Sequence, residues 1–164
     1  MTAARPSSER RLTWMLSLGL GLTVAAVFAR AVGAEFLRWD DDINIFVNPH
    51  IQALNLENLR WMFTDTSYVR RYMPLAWLGF ALNNAIFGAT AISYHAGNVA
   101  LHALNSVLVF FIVLKLLRLA APTGAGGEAT PRLLAAAGGA LLWAVNPLRV
   151  EVVAWASARI YCQT

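Results

Sequence analysis

Ala96 to Leu114 reads AGNVALHALNSVLVFFIVL, and its reading decides the fold class. No charged residue interrupts it, and its length is close to the ~20 apolar residues that a bilayer core requires. Tyr94 and His95 extend it upstream with a polar start. The polar residues in and beside it are not scattered. His95, Asn98, His102 and Asn105 fall at i, i+3, i+7 and i+10, one face of a helix. Polar groups facing lipid are costly, so the spacing predicts a helix whose polar stripe faces other helices or a wet cavity. Helix-to-helix hydrogen bonding by this stripe is at least as good a reading as direct chemistry. A metal fits less well, because two His a heptad apart lack a third ligand on that helix.

The bulk composition agrees with a membrane chain. Of 164 residues, 58% are hydrophobic and 13% charged, against roughly 25% charged in soluble domains. The mean hydropathy is +0.53. The net charge of +4 does not point to nucleic acid, because the basic residues lie beside apolar runs, as orientation in a membrane requires. A single cysteine, Cys162, excludes an internal disulfide and a Cys-rich metal site.

Two further runs have spanning character, Leu12 to Ala29 (LTWMLSLGLGLTVAAVFA) and Leu133 to Val145 (LLAAAGGALLWAV). The second reaches a marginal spanning length only when counted from Pro131 to Pro147. Arg5, Arg10 and Arg11 precede the first run, and Lys115, Arg118 and Arg132 flank the connection before the last. The positive-inside rule places both segments in the cytoplasm, although Arg30 and Arg38 count the other way. The expected order is a cytoplasmic start (1–11), a first span (12–29) and an extracytoplasmic segment (30–93). A second span (94–117), a cytoplasmic loop (118–132), a third span (133–147) and an extracytoplasmic segment (148–164) follow. A cleaved signal peptide competes for the start, since Val32-Gly33-Ala34 suits a cleavage site, but the apolar run is longer than such peptides use.

The segment between the first two spans carries its own helices. NLENLRWMFTD places Leu56, Leu59, Met62 and Phe63 at helical spacing behind Asn55, a plausible N-cap. PLAWLGFALNNAIFG opens with Pro74 at the first helical position and closes at Gly88. Trp61, Trp77, Tyr68 and Tyr72 suit a membrane–water boundary, so both are expected to be interfacial helices. A short fourth span over Leu75 to Phe87 is the alternative. The expected class is thus all-α: a polytopic membrane protein with three transmembrane helices and interfacial helices in the first outer loop. No internal repeat and no Walker, Rossmann, HExxH or nucleophile-elbow motif occurs.

This topology puts Asp40, Asp41, Asp42, Arg149 and Glu151 on one side. Carboxylates from two loops with a cation could serve sugar transfer from a lipid-linked phosphate to a hydroxyl. Such a reaction needs a base for the hydroxyl proton and positive charge, from Arg or a metal, for the departing phosphate. Solvated loop charge is the plainer reading of the same residues. Glu151, Trp155 and Arg159 would share an i, i+4, i+8 face if helical, and ordinary interfacial anchoring explains them equally well.

Several ordered motifs carry a family resemblance. Trp39-Asp40-Asp41, Asn48-Pro49, Trp61-Met62-Phe63-Thr64, Met73-Pro74-Leu75-Ala76-Trp77-Leu78, the stripe His95, Asn98, His102 and Asn105, and Asn146-Pro147-Leu148-Arg149-Val150-Glu151-Val152-Val153-Ala154-Trp155 follow one another between about Phe36 and Arg159. In this order they resemble the N-terminal part of GT-C class membrane glycosyltransferases, closest to bacterial relatives of protein O-mannosyltransferases, which often carry C-terminal tetratricopeptide repeats. Three positions that are commonly His in that family are Met73, Asn146 and Arg149 here, and Ile160-Tyr161 replaces a Lys-Asp.

The resemblance implies a polyprenyl-phosphate-linked sugar donor, membrane lipid around the protein, and a protein or lipid hydroxyl as acceptor. It implies the bacterial inner membrane as the location. Asp40 and Asp41 would be the outer-loop acids, one of them the base, with a divalent metal at the pair as one cofactor option. Glu151 would be the second-loop acid. Binding of phosphate by Arg149 is an inference from its charge, not a family trait. The family has many more spans than three, so the chain reads as the N-terminal portion of such a protein, without tetratricopeptide repeats of its own. The competing reading is a non-catalytic helix-packing or assembly module, or an inactive fragment. A solute transporter would need more spans and paired broken helices.

Overall fold

The computed structural model describes residues 7–120 and 129–163. Arg5 and most of the loop expected at 118–132 lie outside the described residues. Among the described residues the chain is all-helical, with no strand. The helices are α1 (Ser7–Val27), α2 (Leu56–Thr64), α3 (Pro74–Phe87), α4 (Ala91–Ala120), α5 (Ala129–Ala144), α6 (Leu148–Ala154) and α7 (Arg159–Gln163). One of them, α4, is alone long and apolar enough to cross a membrane; its 30 residues extend about 45 Å. The span expected at 12–29 belongs to a helix that starts earlier, with Arg10 and Arg11 inside it, and stops at Val27. Its apolar part is only about 24 Å long. The third expected span stops at Ala144, three residues before the expected end. Pro147, which lacks an N–H, stands in the break before α6.

The chain forms two compact units, Met1–Val27 with His102–Pro147, and Phe28–Leu101 with Leu148–Thr164. In the first, α1 packs against α5. The faces turned inward mix small, polar and branched apolar residues: Thr13, Ser17, Leu20 and Val24 on α1, and Leu133 with Ala136, Ala140 and Ala144 at four-residue spacing on α5. Large apolar side chains point outward, including Trp14, Met15, Leu18, Leu108, Ile112 and Leu142. A soluble helix does the reverse. Thr13 returns its hydroxyl to the Glu9 carbonyl at 2.8 Å, and Arg118 pairs with Glu9 at 2.8 Å.

The second unit has a core of Ile45, Ile51, Met62, Trp77, Phe80 and Tyr94 with smaller neighbours. Local signals set its helices. The Asn55 side chain caps α2 by accepting the Asn58 N–H at 2.8 Å. Pro74 starts α3, and Gly88 ends it at φ 76°, which costs glycine nothing. Both expected helices of this segment form. Aromatic rings link them: His50 stacks on Trp61 at 4.2 Å, and Trp61 lies 5.7 Å from Trp77. Asn84 bonds the Ile51 carbonyl and accepts the Tyr94 hydroxyl at 2.7 Å, joining α3 to α4.

Candidate functional site

The acidic stretch runs into a π-helical turn over Asp42–Phe46, closed by the Val47 N–H on the Asp42 carbonyl at 2.8 Å. Such a turn is wider than an α-helical one and is frequent at functional sites. Residues four apart come nearly into line, and three stripes result. Trp39, Ile43 and Val47 are exposed apolar side chains, and Asp41 and Ile45 are fully buried. Asp40 and Asn44 line a cleft of about 320 Å³. The neighbouring Asp40 and Asp41, just before this turn, therefore face different environments.

The cleft brings together residues far apart in sequence, all within the second unit. Glu151 and Trp155, Ser157 and Tyr161 beyond α6 form one side; Arg71 and Met73, leading into α3, form another. A smaller pocket of about 100 Å³ shares Asp40, Asn44, Arg71 and Met73 and adds Val69. The side chains of Asp40, Glu151 and Arg71 have no hydrogen-bond or ion-pair partner among the described residues. Carboxylates only accept hydrogen bonds and guanidinium only donates them, so the cleft offers both kinds of site to one ligand.

Arg71 is delivered by a strained turn. Val69 (φ 49°) and Arg70 (φ 55°) are both left-handed, a true outlier for a β-branched residue that costs of order 1–3 kcal/mol. Asp65 holds the turn. It accepts the Tyr68 N–H at 2.8 Å, the Ser67 hydroxyl at 2.8 Å and the Ser67 N–H at 3.1 Å. These donors, the Tyr68 N–H foremost, lower the pKa of its carboxyl below 3.8. The Tyr68 hydroxyl reaches the Ile43 carbonyl at 2.9 Å, and burial pushes that phenol up.

Asp41 is placed differently from Asp40. Its Oδ2 accepts the Leu37 N–H and its Oδ1 the Ser157 N–H, each at 2.9 Å. The carboxylate therefore ties the acidic turn to the 3-10 helix Ala156–Ala158. Glu151, Trp155 and Arg159 do not share one helix face, because α6 ends at Ala154. Arg159 is not an interfacial anchor either, being only 4% exposed. Its Nε donates to Asn98 Oδ1 at 3.0 Å, its Nη1 to the Gly79 carbonyl at 3.1 Å, and its Nη2 to Asn83 Oδ1 and the Tyr94 carbonyl at 3.2 and 2.9 Å. The guanidinium also lies 5.4 Å from the Phe80 ring and 5.0 Å from the Tyr94 ring. Burial lowers its pKa from the ordinary value.

The polar stripe of α4 faces inward. His95, Asn98 and His102 are buried and Asn105 is half-buried. Asn98 Nδ2 donates to the Trp155 carbonyl at 2.9 Å. His102 Nε2 lies 3.0 Å from the Ala144 carbonyl, its ring 5.6 Å from that of Trp143. Both ring nitrogens of His95 are buried, with no hydrogen bond of good geometry among the described residues.

Of the expected site residues, Asp40 and Glu151 meet in the cleft, Asp41 lies behind it, and Arg149, half-buried on α6, is not among its lining residues. Arg71 is the cation there, and no sequence signal marked it. A metal is poorly provided for. Among the described residues no three His, Cys, Asp or Glu side chains are grouped to hold one, and both Asp41 oxygens serve backbone N–H groups. No family model, curated protein or solved structure matches the chain.

Proposed function

We propose that this chain is the N-terminal portion of a membrane glycosyltransferase of GT-C type, moving a sugar from a polyprenyl-phosphate-linked donor to a protein or lipid hydroxyl. The observation that carries the reading is the meeting of Asp40, Glu151 and Arg71, all unpaired, in one cleft. In this reading Asp40 takes the proton of the acceptor hydroxyl as its oxygen attacks the anomeric carbon. The bond from that carbon to the phosphate oxygen breaks, and its electron pair leaves with the phosphate. Arg71 meets the growing negative charge with paired N–H donors. Glu151 accepts from a second hydroxyl and fixes the sugar. Arg149 is left outside the chemistry.

The large apolar side chains exposed on α1 and α5, with Thr13, Ser17, Ala136, Ala140 and Ala144 among the buried ones, support a membrane bundle. With α4 they make up the three proposed spans. The basic residues at the start of α1 and the end of α4 favour a cytoplasmic N-terminus in a bacterial inner membrane. The cleft would then lie on the outer side.

In the full-length transferase of which this chain is the proposed N-terminal portion, reconstituted in liposomes with a polyprenyl-phosphate-linked radiolabelled sugar, Asp40→Asn and Arg71→Ala should each lower transfer by about a hundredfold or more while insertion is unchanged. Full transfer in both variants would sink the reading. The burial of His95, Asn98 and His102 favours a second reading, a non-catalytic helix-packing module. It predicts that neutralising the acids has no effect and that apolar substitution of His102 and Asn105 disrupts association.

A further inference from the structure

Asp40 and Asp41 are adjacent, yet they answer to different neighbours. Asp40 lines the cleft without a partner. Asp41 is fully buried, and each of its oxygens accepts one backbone N–H, from Leu37 on its own turn and from Ser157 116 residues away. Ser157 and Trp155 line the same cleft as Asp40. The Trp155 and Ala156 carbonyls accept from Asn98 Nδ2 at 2.9 and 3.3 Å. The segment that Asp41 grips is therefore held from its other side by α4. Buried carboxylates without a cation are costly unless their oxygens accept hydrogen bonds, and here each oxygen accepts one from a backbone N–H.

We propose that Asp41 is a positioning residue: it latches the turn carrying Asp40 to the segment carrying Trp155 and Ser157, and so sets where the Asp40 carboxylate stands against Glu151. The latch itself is independent of the transferase reading; its effect on reaction rate rests on that reading. Asn at position 41 keeps the shape but has one acceptor oxygen, so at least one tether is lost.

Hydrogen exchange on the full chain in lipid nanodiscs, together with transfer assays across pH, tests both parts. Asp41→Asn should raise exchange at the Leu37 or Ser157 amide at least tenfold, and Asp40→Asn should leave both as in the wild type. Asp41→Asn should also lower kcat at least tenfold while the acid limb of the pH profile persists, whereas Asp40→Asn removes that limb. Leu37→Pro deletes one donor on an exposed residue and serves if Asp41→Asn does not fold. It should lower kcat with the limb kept and leave Ser157 protected. Unchanged protection of both amides in Asp41→Asn, or an acid limb that vanishes with Asp41 and survives without Asp40, overturns the proposal. Tenfold faster exchange in Asp41→Asn, with full transfer in both Asp40→Asn and Arg71→Ala, supports the latch and removes the transferase reading.

Discussion

Gly97 lies so close to Arg159 that a Cβ built there would stand 2.5 Å from Nη2. The missing side chain is what lets a buried guanidinium reach four acceptors on α3 and α4. Gly97→Ala is expected to destabilise the second unit by about 1–3 kcal/mol, the usual cost of overpacking. Paired with Arg159→Lys, whose slimmer head vacates the space, the alanine should cost less than it does alone. A double-mutant cycle on thermal unfolding measures the difference.

Asn98 serves the same guanidinium from the other side. Asn98→Leu removes an acceptor from Arg159 Nε and a donor from the Trp155 and Ala156 carbonyls. It should cost about 3–5 kcal/mol, as breaking one partner of a buried charge does. His102→Leu removes the contact with the Ala144 carbonyl and should cost about 1–3 kcal/mol. Denaturation in matched detergent ranks the two.

Cys162 reports on this region without being part of it. The thiol is 3% exposed and points at the Val152 carbonyl, 3.6 Å away, and burial pushes its pKa up to about 11. Since the thiolate is the reactive form, alkylation at pH 8 should run about a hundredfold slower than for an exposed thiol. Arg159→Gln should speed it sharply. Rapid labelling of the wild type would contradict the burial of Cys162.

The turn that presents Arg71 should fail in acid. The Asp65 carboxyl has a folded pKa below 3.8. Its contribution is complete above that value and is lost as pH falls through the lower, folded one. Exchange at the Tyr68 amide, normalised for the intrinsic acid dependence, should rise below about pH 3.8. Asp65→Asn should show the loosened turn at neutral pH, and a flat profile in the wild type would contradict the role given to Asp65.

How far the sequence foretold this structure depended on how local each cause was. The Asn55 cap, Pro74 and Gly88 act within a few residues, and α2 and α3 formed where those residues placed them. Inward burial of His95, Asn98 and His102 followed from helical spacing and the cost of polar groups in lipid. Three consecutive aspartates, by contrast, could not be sorted from letters alone, because the partner that buries Asp41, the Ser157 N–H, lies 116 residues away. Val69 and Arg70 gave no warning either, since neither residue type favours left-handed backbone. Arg159 read as a membrane anchor because its acceptors lie far away along the chain.

That distance has a consequence for biosynthesis. The four acceptors of Arg159 precede it by 61 to 80 residues, and α5 is made in between. At ribosomal rates of about 5–20 residues per second, Gly79, Asn83, Tyr94 and Asn98 wait roughly 3–16 s for the guanidinium that unites them. During that interval the nascent second unit has the rim of its arginine cage but no occupant. Until then α3 and α4 are joined by the Asn84–Tyr94 hydrogen bond, and the arriving cation adds a further bridge between them.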